Sequence, residues 1–103
     1  MSRNRDHADR RCRRHTEAAL GVLLVDRAAP LVPPGRLRPR SIARYVAHVE
    51  LGVPVLALAA SSRGRARKVR AQLARVEDER AADQVLDAAI DRIARGMLAC
   101  LAM

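Results

Sequence analysis

The sequence predicts a small all-α domain of about five helices, and composition is the first reason. Half of its 103 residues are apolar, but these are mainly Ala, Leu and Val, with no Phe or Trp and one aromatic residue, Tyr45. Ala and Leu in this abundance favour helix over strand. The second reason is that apolar residues recur at three- and four-residue spacing in several segments. A chain of this length holds one core, so we expect a single domain.

The N-terminal third predicts an arm, a helix and a loop. Residues 1–9 are polar and charged without periodicity, which predicts a flexible basic arm before a single helical domain at 10–103. A first helix over 10–24 is predicted from residues at helical spacing: Cys12, Thr16, Ala19, Leu20, Leu23 and Leu24. Four prolines in residues 26–39 exclude a helix interior, so this segment is predicted as a loop carrying Arg36 and Arg38.

The middle of the chain predicts two short helices and a turn. Ser41 is expected to cap a second helix that ends at Gly52. Its apolar stripe comprises Ile42, Tyr45, Val46 and Val49. Pro54 suits the first position of a third helix at 55–60, whose near-uniform apolarity predicts burial on most sides. Residues 61–64 predict a tight turn before a further helix, which is the spacing of a helix-turn-helix unit.

Two longer helices are predicted at the C-terminal end. The fourth, at 65–81, is expected to bury Val69, Leu73 and Val76. The fifth, capped by Asp83, has one broad apolar face: Val85, Leu86, Ala89, Ile90, Ile93, Met97, Leu98 and Leu101. Residues 97–103 carry no charge, so they either pack on the first helix or form an association surface.

The net charge of +9 is concentrated in one part of the chain. Residues 1–15 carry +4, 16–35 carry −1, 36–70 carry +8 and 71–103 carry −2. A cluster of this density attracts polyanions by counterion release, and nucleic acid is the commonest such partner inside a cell. Coding bias accounts for the preference for Arg, which supplies all the basic residues except Lys68. It does not account for the uneven distribution, so the charge predicts nucleic-acid binding.

The predicted fourth helix has its charges reversed with respect to the helix dipole. Four cations lie in its first turns and three acids near its end: Arg65, Arg67, Lys68 and Arg70, then Glu77, Asp78 and Glu79. Each end is thereby disfavoured by several tenths of a kcal/mol. A phosphate backbone against the N-terminal end would offset this cost, so the reversal favours DNA binding.

Two blocks of sequence resemble a known family. Residues 38–47 read Arg-Pro-Arg-Ser-Ile-Ala-Arg-Tyr-Val-Ala and continue with His48, Val49 and Gly52. The second block comprises Leu73, residues 75–78 (Arg-Val-Glu-Asp) and Arg80, and its distance from the first block fits the family without an insertion. They resemble the opening of the second helix and the end of the recognition helix in the C-terminal DNA-binding domain of the bacterial replication initiator DnaA and its short stand-alone relatives. The similarity spans most of residues 18–95. It implies an all-α, TrpR-like helix-turn-helix fold that binds double-stranded DNA in replication or transcription regulation.

The start of the predicted recognition helix departs from the family. The family has Gly-Arg-Asp, a His or Arg, and two hydroxyl residues before a Val, whereas residues 61–69 read Ser-Ser-Arg-Gly-Arg-Ala-Arg-Lys-Val. The Asp and Thr side chains that read base edges in the family have no counterpart, and basic side chains stand in their place. The resemblance therefore implies a general, phosphate-led affinity for DNA with relaxed sequence specificity.

Eight basic residues are candidates for DNA contact: Arg65, Arg67, Lys68, Arg70, Arg36, Arg38, Arg40 and Arg44. We expect Arg65 and Arg67 to lie nearest the major groove. The loop residues Arg36 and Arg38 are expected to reach the minor groove, and Arg40 and Arg44 to contact phosphates. The alternative for Arg65, Arg67, Lys68 and Arg70 is a solvated charged face.

Other functional classes have little support in the sequence. No catalytic constellation or phosphate-binding glycine motif occurs, so we expect no enzymatic activity and no cofactor. His7, Cys12 and His15 form no closed four-ligand pattern, so no metal site is predicted. Tyr45 lies on the apolar stripe of its helix and is interpreted as a core residue.

The sequence also predicts the cellular location and the association of the protein. The polar N-terminus argues against a secretion signal, and two separated cysteines suit reduced thiols, so we expect a cytoplasmic protein with no membrane contact. The alternative function is a helical adaptor that has lost DNA binding and forms a homodimer, or binds a protein partner, through its C-terminal helix.

Overall fold

The computed structural model describes residues 16–61 and 65–102, which form five α-helices and no strand. The helices are α1 (residues 16–28), α2 (Pro39–Tyr45), α3 (Val55–Ser61), α4 (Ala66–Ala82) and α5 (Gln84–Ala102). The predicted all-α class with five helices is confirmed. The predicted arm at 1–9 and the first part of the first helix, 10–15, lie outside the described residues.

Helix α1 is longer at its C-terminal end than the sequence pattern predicts. It continues to residue 28 and into a 3-10 turn, Ala29–Leu31, so the prediction that the loop begins at 26 is wrong. The extension is stabilised because Val25 and Ala28 are buried on the same side as Leu24. Pro30 fits the first positions of the 3-10 turn, where no backbone donor is needed.

Helix α2 begins three residues earlier than predicted. Arg38 is its N-cap residue, with extended backbone, and Pro39 occupies the first turn. The carbonyl of Arg38 accepts hydrogen bonds from the amides of Ser41 and Ile42 at 3.0 and 3.3 Å. The prediction that Ser41 caps this helix is therefore wrong, and Ser41 is buried within it. The fixed φ of proline suits a first helical position, which explains why the helix begins there.

A π-helical turn, Val46–Glu50, continues α2 and changes which residues face the core. Ala47 is buried, whereas Val49 is 49% exposed, so the predicted stripe is wrong at its last position. A π turn holds more residues than an α turn, which rotates the following side chains away from the α-helical register. Gly52, with a φ of +78°, ends the segment as predicted.

Helix α3 follows Pro54, whose carbonyl accepts hydrogen bonds from the amides of Ala57 and Leu58. Leu58 is fully buried, but Leu56 is 67% exposed. Ala57 and Ala59 are buried as well, because α3 packs against α4 and lies beside Gly21 of α1, so the prediction that α3 is buried on most sides is wrong only at Leu56 and at its end. Ser61, predicted in the turn, belongs to α3, and the rest of that turn lies outside the described residues.

Helix α4 is central and packs against α2, α3 and α5. Its predicted apolar face is confirmed, since Val69, Leu73 and Val76 are buried. A short break at Asp83 separates it from α5, and the Asp83 carboxylate accepts hydrogen bonds from the amides of Val85 and Leu86 at 3.0 and 3.2 Å. The predicted cap is thus confirmed.

Only part of the predicted apolar face of α5 is buried. Four of its predicted members belong to the core: Ala89, Ile90, Ile93 and Met97. Val85, Leu98 and Leu101 are 75%, 47% and 54% exposed. Within the described residues, no helix is both long and apolar enough to span a membrane.

Candidate nucleic-acid interface

A basic cleft lies between the loop before α2 and one side of α4. Its volume is about 360 Å³. We call it the basic cleft and define it by its lining residues: Arg36, Leu37, Arg38, Ser41, Lys68, Gln72 and Arg75. Four of these are cations and none is an acid, so the structure brings three of the predicted contact residues together with a fourth cation, Arg75.

Each side of the basic cleft is positioned by buried neighbours. Leu37 is 8% exposed and anchors the loop, which leaves the flanking Arg36 and Arg38 exposed. On α4, Lys68, Gln72 and Arg75 follow at intervals of four and three residues, so they share one side of the helix. The buried residues of α4, described above, fix the rotation of the helix and with it the direction of this side.

The four predicted contacts at the start of α4 do not share one face. Arg65, Arg67, Lys68 and Arg70 are all exposed, but of these only Lys68 lines the basic cleft. Arg65 is the N-cap residue, with extended backbone. Arg70 lies two residues beyond Lys68, which is about 200° around the helix. The cations therefore surround the N-terminal end of α4 rather than forming a single row.

The two predicted contacts on α2 have different surroundings. Arg40 is exposed and its Nη2 lies 3.2 Å from Oδ1 of Asp26. Such exposed pairs contribute about 0–1 kcal/mol, so a phosphate can compete with Asp26 for this side chain. Arg44 is half-buried and its Nη1 donates a hydrogen bond to Oε1 of Gln72 at 3.0 Å. Burial, and secondarily the charge of Arg40, lowers the pKa of Arg44 below its usual value.

Sequence reasoning missed three polar residues of the basic cleft: Ser41 as a lining residue, Gln72 and Arg75. The last two had a usable signal. They lie four and seven residues after Lys68, so extending the helical pattern from that residue would have placed them on its side of α4. Ser41 was assigned to a cap because the start of α2 was placed too late.

A second polar cluster joins α2, α4 and α5 on another part of the surface. Arg80 donates hydrogen bonds to Glu50 at 3.1 Å, to Asp91 at 2.7 Å and to Asp87. The hydrogen bond to Asp87 is the main cause that raises the pKa of Arg80 above its usual value, against the lowering effect of burial. Arg80 is thus a structural cation within the charge balance of the domain.

Tyr45 completes this cluster from the core. Its ring is buried, and its hydroxyl donates to the carboxylate of Glu77 while accepting a hydrogen bond from Arg80. Burial first, and the hydrogen bond to Glu77 next, raise the pKa of Tyr45. Glu77, one of the three acids near the C-terminal end of α4, therefore has a structural partner.

No group of acidic, histidine or cysteine residues within residues 16–61 and 65–102 could hold a metal ion. The candidates His7, Cys12 and His15 lie outside those ranges. Comparisons with protein-family models, curated proteins and solved structures gave no match to this chain. The similarity to the DnaA C-terminal domain consequently stays a prediction from its two sequence blocks.

Proposed function

We propose that this protein binds double-stranded DNA and that the basic cleft is its principal contact surface. The observation that supports the proposal best is the convergence of Arg36 and Arg38 with Lys68 and Arg75 around one cleft. These side chains come from segments about thirty residues apart in sequence, yet they line one surface. A cluster of cations without acids binds phosphates by releasing condensed counterions.

The order of the helices supports the same proposal. The short helix α3 packs against α4, and only residues 62–65 separate them. In a helix-turn-helix unit, the helix after the turn enters the major groove with its N-terminal end. Here that end carries Arg65, Arg67 and Lys68. We propose a DnaA-like factor in replication or transcription regulation that acts without catalysis, in keeping with the two resembling sequence blocks.

The proposal is tested by fluorescence anisotropy of labelled duplex DNA. The variant Arg36→Ala/Lys68→Ala removes two cations of the basic cleft, one from each of its walls. The matched control, Arg92→Ala/Arg95→Ala, removes two exposed cations elsewhere, so both variants lose the same charge. We expect the cleft variant to bind at least about tenfold more weakly than the control at low salt. Absence of binding by the wild-type protein at low salt contradicts the proposal.

A second candidate function is homodimerisation, as expected of a helical adaptor. An apolar cleft of about 320 Å³ lies between the C-terminal parts of α1 and α5. It is lined by Leu23 and Leu101, which are 46% and 54% exposed. Asp26 and Arg27 also line it, and a two-fold axis that passed between them would pair Asp26 of each copy with Arg27 of the other. These features favour a second copy of the chain as the occupant.

The dimer is tested by light scattering over a range of protein concentrations. We expect the wild-type protein to reach twice the monomer mass and Leu101→Glu to remain monomeric. A wild-type protein that stays monomeric at every concentration contradicts this candidate. Dimerisation without any DNA binding would favour the adaptor over the DNA-binding function.

A further inference from the structure

The hydrogen-bonding groups of the basic cleft are almost all donors. Arg36, Arg38, Lys68 and Arg75 have side chains with donors and no acceptor. Gln72 is the one lining residue whose side chain has a carbonyl oxygen. The hydrogen-bonding groups that the cleft offers to a ligand therefore depend on the orientation of the Gln72 amide.

Arg44 determines that orientation. Its guanidinium is half-buried between α2 and α4, and its Nη1 donates to Oε1 of Gln72 at 3.0 Å. The carbonyl end of the amide is thus held towards Arg44, which is not among the residues that line the cleft. The amino group, with two donors and no acceptor, is the end left for a ligand.

We infer that Arg44 orients Gln72 so that its amino group, like the four cations and the Ser41 hydroxyl, can donate into the basic cleft, and that the ligand is the phosphodiester backbone of duplex DNA rather than base edges. Phosphate oxygens accept hydrogen bonds and donate none, so they match such a surface. A glutamine that reads adenine must offer its oxygen and its amino group together, and here the oxygen is engaged. This inference rests on the proposed function and adds that binding is independent of sequence.

Arg44 thereby has a different role from the phosphate contact that the sequence predicted. It is a positioning residue, which acts through Gln72. We expect Arg44→Met to weaken duplex binding without changing the slope of log K against log salt, because the protein keeps all its phosphate contacts. Arg44→Lys, which retains a donor for Gln72, restores binding. A decrease in slope of about 0.9, the value for removal of one phosphate contact, contradicts this role.

Gln72→Glu tests the inference most sharply. The new carboxylate can pair with Arg44, so we expect the melting temperature to be maintained, but it places acceptors and a negative charge in the cleft. The matched control is Ala74→Glu, which makes the same charge change at an exposed position about 200° around α4. We expect Gln72→Glu to weaken duplex binding about tenfold relative to Ala74→Glu. Equal weakening by the two variants overturns the inference.

Two further measurements test the inference, one with a second variant of Gln72 and one with competing duplexes. If Gln72→Glu has a lower melting temperature than the wild-type protein, Gln72→Lys replaces it as the test. This variant adds a donor to the cleft, so we expect it to bind duplex DNA as tightly as the wild type. A loss of binding overturns the inference. Unlabelled duplexes of different sequence are expected to compete equally. One duplex that competes more than about tenfold better overturns the inference but leaves the proposed function intact. Failure of the wild-type protein to bind any duplex overturns both.

Discussion

The guanidinium of Arg80 lies over the ring of Tyr45, with 5.7 Å between the guanidinium carbon and the ring centroid. The same guanidinium donates to the Tyr45 hydroxyl at 3.3 Å. Since Tyr45 belongs to α2 and Arg80 to α4, this pair fixes α4, which forms one wall of the basic cleft, against the helix that directly follows the loop of the other wall. Its further bonds to Asp87 and Asp91 extend the connection to α5.

The first prediction concerns Arg80. We expect Arg80→Met to lower the free energy of unfolding by about 2–3 kcal/mol, because it removes several hydrogen bonds to charged groups from a site that is only 18% exposed. Arg92→Met, at an exposed position of α5, is the control and should change stability by less than about 0.5 kcal/mol. Urea denaturation measures both, and equal effects of the two variants would contradict a structural role for Arg80.

The second prediction concerns alkaline pH. Burial and Glu77 raise the pKa of Tyr45 above its ordinary value of 10, so the folded protein keeps the phenol proton longer than the unfolded chain does. The resulting stability is present below pH 10 and is lost as pH rises through the higher pKa of the folded state. Tyr45→Phe should lack this part of the pH dependence.

Absorbance of the phenolate follows the titration directly, since Tyr45 is the only aromatic residue of the chain. We expect its midpoint above that of the urea-unfolded protein. A folded midpoint equal to or below the unfolded one would contradict the surroundings described for the hydroxyl group.

The third prediction concerns the start of α5. Asp83→Ala removes the carboxylate that accepts two backbone hydrogen bonds, so we expect a loss of about 1 kcal/mol. Asp83→Asn, which keeps an acceptor oxygen at the same place, should retain most of the stability. Thermal denaturation followed by circular dichroism compares the variants, and an unchanged melting temperature for Asp83→Ala would show that the cap is not needed.

How far the sequence predicts the fold depends on the range of the interactions. The cap at Asp83, the stop at Gly52 and the apolar face of α4 follow from local rules and are confirmed. The π turn after α2 is different, because the apolar spacing of Ile42, Tyr45, Val46 and Val49 is that of an ordinary α-helix. Leu101 stays exposed for a related reason, since hydrophobic spacing identifies a face but not whether a neighbour covers it.

The sequence predicted only part of the candidate site, because the contacts that complete it are made between distant segments. Charge clustering identified Arg36 and Lys68, but only the packing of α2 against α4 brings their segments to one cleft. The bond between Arg44 and Gln72 joins residues 28 positions apart, and neither residue type predicts the other. Charge patterns therefore locate a basic region, while tertiary packing decides which of its side chains act together.

The fourth prediction concerns the turn after the π-helical segment. Gly52 has a φ of +78°, and a Cβ at this position would meet no atom within 4 Å. Gly52→Ala should therefore cost about 1–2 kcal/mol through backbone strain alone. Gly52→Asn should cost less, because asparagine tolerates this conformation better. Urea denaturation distinguishes the two, and an alanine variant as stable as the wild type would contradict the left-handed conformation.

The fifth prediction tests the central claim, that the basic cleft contacts the DNA backbone. The measurement is the slope of log K against log salt for duplex binding by the wild-type protein, the Arg36→Ala/Lys68→Ala variant and the Arg92→Ala/Arg95→Ala control. We predict that the slope of the cleft variant falls by about 0.9 for each phosphate that its substitutions release, and that the control keeps the wild-type slope. Equal slopes for the two variants would contradict the claim.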